Sequence, residues 1–357
     1  MKYSLDRQAG VPAYMQIYNL LRQDITSGAI APGAKLPSKR ILAGELEVSV
    51  ITVEHAYALL ADEGYIQCRQ RSGYYASFGA GMNPAPVKKP AAISEMAAVE
   101  KDMEDFPFSA LAKTMRRVLS EYDRRILVKA PGTGCPELKV AIAAYLSRSR
   151  GIEIDPEQII IGSGAEYLYG LIVQLAGKDS IFALEDPCYE KIRQVYEANG
   201  ARCTFLKMGS DGIVSEELER CNAAALHVTP YHSYPSGITA SASKRHEYAA
   251  WAEKNGAYII EDDYNSEFSA QLRQIDTIFS LVPQRVIYVN TFTKTLAPSM
   301  RMGYMVLPEQ LLQRYKEKLD FYSCTVPVFE QYTLAEFINS GDFERYINRR
   351  RRKLRGK

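Results

Sequence analysis

A chain of 357 residues is longer than one ordinary domain and long enough to bury two cores. Its composition, 46% hydrophobic and 24% charged, is that of a globular protein, and a formal net charge of +2 excludes a strong overall field for nucleic acid or an acidic membrane surface. Six cysteines at 68, 135, 188, 203, 221 and 324 show no CxxC spacing and no companion histidines, which argues against a zinc site or a disulfide framework and suits a reducing cytosol. The polar start MKYSLDRQAG has no apolar signal region, and no run is long enough to cross a bilayer, so a cytoplasmic location is expected.

Residues 1–78 read as a first domain. Ile17, Leu20, Leu21 and Ile25 recur at helical spacing between Tyr14 and Ser27, and Gly28 stops that helix. Pro37 and Ser38 open a second helix, with Ser38 as cap and Ile41, Leu42 and Leu46 inward. A third runs from Val50 to Glu63, with Ser49 or Thr52 at its start and Val53, Ala56, Tyr57 and Leu60 on its apolar face. Two short β-like runs, Tyr65–Cys68 and Tyr74–Ser77, flank RQRSG (69–73), a turn suited to a hairpin. Helix, helix, tight break, helix and hairpin make a winged helix-turn-helix, whose third helix enters the major groove by its N-terminal end. The competing reading is a three-helix interaction module with an incidental hairpin. Residues 1–80 hold eight Lys/Arg against seven Asp/Glu, so DNA contact must come from a few placed cations.

The stretches SGAIAPGAKLPSKRILA (27–43), VSVITVEHAY (48–57), LLADEGY (59–65) and RSGYY (71–75) resemble the GntR-type DNA-binding domain. The resemblance implies duplex contacts from Ser38, Lys39 and Arg40 at the second helix, from Ser49, Thr52 and His55 at the third, and from Arg69, Arg71, Ser72 and Gly73 in the wing. One position departs: Val50 stands where such domains usually carry Arg after the recognition-helix serine.

Residues 79–104, rich in Ala, Pro and charge, read as a linker. Residues 105–357 alternate helical and strand-like segments, which argues for a parallel α/β sheet. The stretch IIIGSGAEY (159–167) is a strand, a glycine turn and a helix start, which together cradle a phosphate through backbone N–H groups and the positive helix end. In AYIIEDDY (257–264) an apolar strand carries Glu261, Asp262, Asp263 and Tyr264 at its carboxyl end, where open α/β sheets bind ligands. A metal-binding acidic cluster is the weaker alternative, since neighbouring strand residues point to opposite faces. In YVNTFTKTLAPSMRMGY (288–304), Lys294 sits between strands Arg285–Asn290 and Gly303–Leu307, among hydroxyls at 291, 293 and 295 and near Arg301. A lone lysine is ordinarily a surface charge; an amine beside a phosphate cradle is what Schiff-base capture of an aldehyde cofactor needs.

Together these three segments resemble the fold-type I pyridoxal-phosphate enzymes, and specifically their aminotransferase-like domains, which implies a three-layer α/β fold and pyridoxal 5'-phosphate as cofactor. The resemblance assigns Lys294 to the cofactor aldehyde as catalytic lysine, Asp262 to the pyridine nitrogen and Tyr264 to the phenolic oxygen. It assigns Ser163, Gly164, Ala165, Thr291, Thr293 and Arg301 to the phosphate. EDPCY (185–189) resembles the segment whose aromatic stacks on the ring, here Tyr189, and HSYPSG (232–237) puts Tyr234 where the enzymes place Asn. A winged helix joined to this domain is the organisation of MocR-type regulators. It implies a DNA-binding transcription regulator, a homodimer on an operator, with a small-molecule effector such as an amino acid or the cofactor itself. An aminotransferase with an accessory winged helix is the alternative. The stretch GDFERYINRR (341–350) resembles the helix that leads into the enzymes' small domain, with its carboxylate-gripping arginine. The sequence stops at Lys357 within it, so that clamp is expected to be missing, and Arg349–Arg352 are expected on a solvated face.

Overall fold

The computed structural model describes residues 3–6, 10–69, 72–77, 106–177, 179–264, 266–268 and 276–355. The proposed linker and Arg71 lie outside them. The chain divides into two compact units, residues 1–94 and 95–357.

In the first unit, α1 (Ala13–Ser27) ends at Gly28, whose left-handed φ of 83° suits glycine. Helix α2 (Lys39–Leu46) is capped by Ser38, whose Oγ accepts from the Ile41 N–H, and α3 (Val50–Asp62) by Ser49, whose Oγ accepts from the Thr52 N–H. Ile17, Leu21 and Ile25 pack with Leu42, Val53, Tyr57 and Leu60 in one core, where truncating a leucine would cost about 2–5 kcal/mol. Ile41 does not join it: it is 57% exposed, because α2 turns only its Leu42 and Leu46 side inward. The strands β1 (Ile66–Arg69) and β2 (Gly73–Ala76) pair antiparallel, with Ile66 opposite Ala76.

The second unit begins with α4 (Phe108–Tyr122) and α5 (Pro136–Arg150), then β3 (Ile159–Gly162) and α6 (Ala165–Ala176). Next come β4 (Ile181–Asp186), α7 (Glu190–Ala198), β5 (Arg202–Lys207), α8 (Ser215–Glu219) and β6 (Ala225–Val228). They are followed by α9 (Ala242–Asn255), β7 (Tyr258–Asp262), α10 (Ile278–Leu281), β8 (Val286–Thr291) and the single turn α11 (Phe292–Thr295). The chain then adds β9 (Gly303–Val306), α12 (Glu309–Lys318), α13 (Val328–Asn339) and α14 (Asp342–Arg355).

The strands form one sheet in the order β3-β9-β8-β7-β6-β4-β5. It is not wholly parallel: β9 runs antiparallel to both β3 and β8. Only residues 292–302 separate β8 from β9, too few for the helical crossover that a parallel return needs. Side chains alternate between two cores, as a pleated strand requires. Ile159, Ile161, Ile259, Val286 and Tyr288 face α5, α9 and α13, whereas Ile160, Ile260, Ile287 and Val289 face α6, α7 and α12. The helices after β4 and β6 thus lie on opposite faces, which opens a crevice at the carboxyl ends of those strands. The arginine run on α14 is not uniformly solvated. Arg350 lies over the Phe268 ring at 4.8 Å, and Arg351 donates to the Glu267 carbonyl, leaving Arg349 and Arg352 exposed.

Candidate functional site

The carboxyl ends of β7 and β8, the loops after β4 and β6, and the start of α6 enclose a cavity of about 370 Å³, within the range of small-molecule sites. Alternation along the extended chain sends the consecutive carboxylates Glu261 and Asp262, at the end of β7, and Asp263, just past it, to different jobs. Glu261 accepts from the N–H groups of Ile278 at 2.9 Å and Phe279 at 2.8 Å, anchoring α10, and burial pushes its carboxyl up to about 7. Asp263 turns to Arg150 and the Tyr288 hydroxyl. Asp262 alone faces the cavity. It accepts a short hydrogen bond from the Tyr169 hydroxyl and lies 3.7 Å from Nε2 of His227, whose Nδ1 meets the Tyr196 hydroxyl at 2.7 Å. Among the described residues, Oδ1 of Asp262 and Nε2 of His227 are buried side-chain atoms with no hydrogen-bond partner. An ionised carboxylate with an empty oxygen beside a cavity is costly unless a cationic or donor group completes it.

Lys294 sits on α11, in a helical turn rather than an irregular loop, because Thr291 caps it by accepting from the Thr293 N–H at 3.1 Å. It lines the cavity with Thr291 and Thr293, whose hydroxyls are 2.9 Å apart, and among the described residues it has no ion-pair partner. Tyr264, just past β7, lines the same space, and burial raises its hydroxyl pKa. Gly164 holds the β3–α6 turn at a φ of 96°, a conformation that disfavours a side chain. The Ser163 N–H there already donates to Thr325 Oγ1 at 3.0 Å, and Arg301 reaches the first turn of α6 through Glu166 at 2.8 Å.

The outer wall is aromatic. Tyr189 and Tyr234 stand 5.8 Å apart, edge to face. Glu185 links the loops that bear them: its Oε2 accepts from Ser233 Oγ at 2.6 Å, and its carboxylate accepts from the Thr229 N–H. Burial pushes the Glu185 carboxyl up to about 7.

Of the residues expected from sequence, Lys294, Asp262, Tyr264, Ala165, Tyr189, Tyr234, Thr291 and Thr293 line one cavity. Ser163, Gly164 and Arg301 stand beside it at the α6 start without lining it. Tyr169, Ile192, Thr229 and Pro298 line it and were not anticipated. Tyr169 was within reach of sequence reasoning, since it falls one helical turn after Ala165. His227 had a weaker signal, a lone histidine in an apolar strand.

The first unit carries its own candidate face. Lys39 pairs with Glu54 at 2.5 Å, tying α2 to α3, and lies 6.0 Å from the Tyr74 ring on β2. Arg69 and Lys35 lie over Tyr75 at 4.5 and 5.9 Å, and the Ser72 and Tyr75 hydroxyls meet at 2.6 Å. Gly73 opens β2 at a φ of 113°. Arg40 and Ser38 are exposed, Ser49 and Thr52 share a hydroxyl contact of 2.7 Å, and His55 stacks on Tyr14. Helix starts, recognition-helix residues and wing therefore lie on connected elements.

Residues 13–75 match the family described as bacterial regulatory proteins, gntR family, and residues 100–357 match aminotransferase class I and II. The HTH-type transcriptional regulator YdeL of Bacillus subtilis is 36% identical over 99% of this chain and 79% of its own length. The probable rhizopine catabolism regulatory protein MocR of Rhizobium meliloti is 32% identical, covering 98% and 76%. The pyridoxine biosynthesis transcriptional regulator PdxR of Corynebacterium glutamicum is 28% identical, covering 95% and 76%. Among solved structures, the kynurenine aminotransferase of Pyrococcus horikoshii, crystallised with PMP, superposes with a TM-score of 0.64 at 22% identity, over 74% of this chain and 71% of that one. That likeness shows the aminotransferase fold.

Proposed function

Since this chain belongs to the HTH-type transcriptional regulators that join a gntR-family domain to an aminotransferase class I and II domain, we propose that its second unit binds pyridoxal 5'-phosphate and reports ligand state to the DNA-binding unit. The observation that carries the cofactor assignment is the buried, unpartnered Oδ1 of Asp262, a residue that lines the same cavity as Lys294, which has no ion-pair partner among the described residues. A carboxylate there stabilises a protonated ring nitrogen and is itself stabilised by it. Bound there, the cofactor supplies an aldehyde that captures primary amines and a ring that withdraws electrons.

Each residue has a part in that reading. Lys294 presents the amine, Tyr264 donates to the phenolic oxygen, and Tyr189 covers the ring face. Thr291, Thr293 and Ala165 line the cavity and hold the phosphate through hydroxyls and the positive start of α6; Ser163 and Gly164, whose N–H groups are engaged with Thr325 and the Gly162 carbonyl, shape that turn, and Arg301 beside it adds charge. Tyr234 narrows the entrance. The effector is a small amine such as an amino acid, or the cofactor itself, and its binding shifts the disposition of two winged helices in a homodimer. Residues 1–78 form the DNA-binding domain, 79–104 the linker and 105–357 the sensor.

The test is titration of the full chain with pyridoxal 5'-phosphate. A protein-bound visible absorption band is expected in the wild type and absent in Lys294→Ala, with unchanged far-ultraviolet circular dichroism because Lys294 is exposed. A wild type that develops no band overturns the cofactor reading.

A further inference from the structure

The face that α3 presents for DNA readout is apolar at its leading end. Burial of Val53, Ala56, Tyr57 and Leu60 fixes which side faces the core, and leaves Val50, Ile51, Glu54, His55 and Ala58 outward. None of these is Arg, Lys, Asn or Gln, the residues that make bidentate hydrogen bonds to guanine or adenine edges. Glu54 is held by Lys39 at 2.5 Å, and the His55 ring is stacked on Tyr14 at 4.2 Å, with 14° between the planes. Val50 and Ile51 remain, 40% and 76% exposed, two β-branched side chains open to solvent at the start of α3.

We propose that Val50 and Ile51 set operator specificity by packing against thymine C5-methyl groups in the major groove. This inference rests on the DNA-binding reading and deepens it. In the major groove the methyl is the one apolar feature of a base-pair edge, so an apolar tip gains there what it cannot gain from polar edges. The surroundings suit a duplex rather than an apolar protein partner. Arg40 is exposed on α2, and Lys35 and Arg69 are exposed beside the wing, where Lys39 joins α2, α3 and β2. Cations on flanking elements hold phosphates and fix register, while the helix tip between them reads bases. The Ser49 and Thr52 hydroxyls are engaged with each other at 2.7 Å, which leaves the apolar pair to discriminate.

The test uses the full chain and a duplex selected from a randomised pool at low salt, then synthesised with thymine and again with uracil, which lacks only the methyl. Wild type is expected to bind the uracil duplex about fourfold more weakly per contacted methyl, from roughly 0.8 kcal/mol per buried carbon. Ile51→Ala, and more completely Val50→Ala with Ile51→Ala, should bind the thymine and uracil duplexes alike. Both positions are exposed, so the variants keep the core intact, and circular dichroism checks this. Equal wild-type affinity for the two duplexes overturns the methyl readout while leaving DNA binding in place; so does full discrimination by the double variant. Enrichment of no duplex overturns the DNA-binding reading itself.

Discussion

Glu185→Gln tests whether the link between the two tyrosine loops is a proton-dependent one. The Glu185 carboxyl is buried and pushed up to about 7 from an ordinary 4.5, burial outweighing the help from Ser233 and the Thr229 N–H. The native state thus binds this proton more tightly than the unfolded chain. Its contribution to stability is fully present below about pH 4.5 and is lost as pH rises through about 7. The gap between those values corresponds to about 3 kcal/mol at most. Glutamine has the shape of the protonated acid and an oxygen for the Ser233 hydroxyl, yet never ionises. The variant should match or fall slightly below wild type at pH 4.5 and exceed it by up to ~3 kcal/mol at pH 8. Urea unfolding of the full chain at both values, following the second unit, measures this. Glu261 and Glu267, which burial raises in the same direction, are present in both proteins and subtract out. A variant whose free-energy difference from wild type stays constant across that interval refutes the argument.

Asp262→Asn keeps the side chain's shape and its contact with the Tyr169 hydroxyl but removes the charge that faces the cavity. Cofactor titration should show affinity lowered by about 2–5 kcal/mol, as for truncating one partner of a buried charge pair; unchanged affinity would separate Asp262 from the ring nitrogen. Ser49→Ala removes the cap of α3 and should lower the stability of the first unit by ~1 kcal/mol in urea unfolding. An unshifted midpoint would mean that the helix start is held by its packing alone.

What the sequence made legible was what local rules determine. Ser38, and Ser49 or Thr52, announced two helix starts because a hydroxyl before an apolar-periodic run has one favourable use, the second cap being Ser49, and Gly28 announced a stop for a similarly local reason. The cavity residues from β8 and the α6 start were legible through the resemblance of their segments to the fold-type I enzymes, and those of β7 also because they lie at a strand's carboxyl end, where the fold collects ligands. What escaped depends on neighbours remote in sequence. Ile41 has the residue type of a core position, and only the packing angle of α2 sends it outward. Arg350 and Arg351 read as solvent charges until residues 267 and 268 come beneath them. His227 becomes part of the site through Tyr196 on α7 and Asp262 on β7, partners 31 and 35 positions away. The direction of β9 is different: both strands were placed in the sequence with too few residues between them for a crossover, so its antiparallel return was legible there although the alternation of elements pointed to a parallel sheet. The same distinction explains why Val50 has opposite meanings at the two levels. As a residue type it is a missing phosphate or base contact; once burial fixes the outward side of α3, it is half of an apolar reading tip.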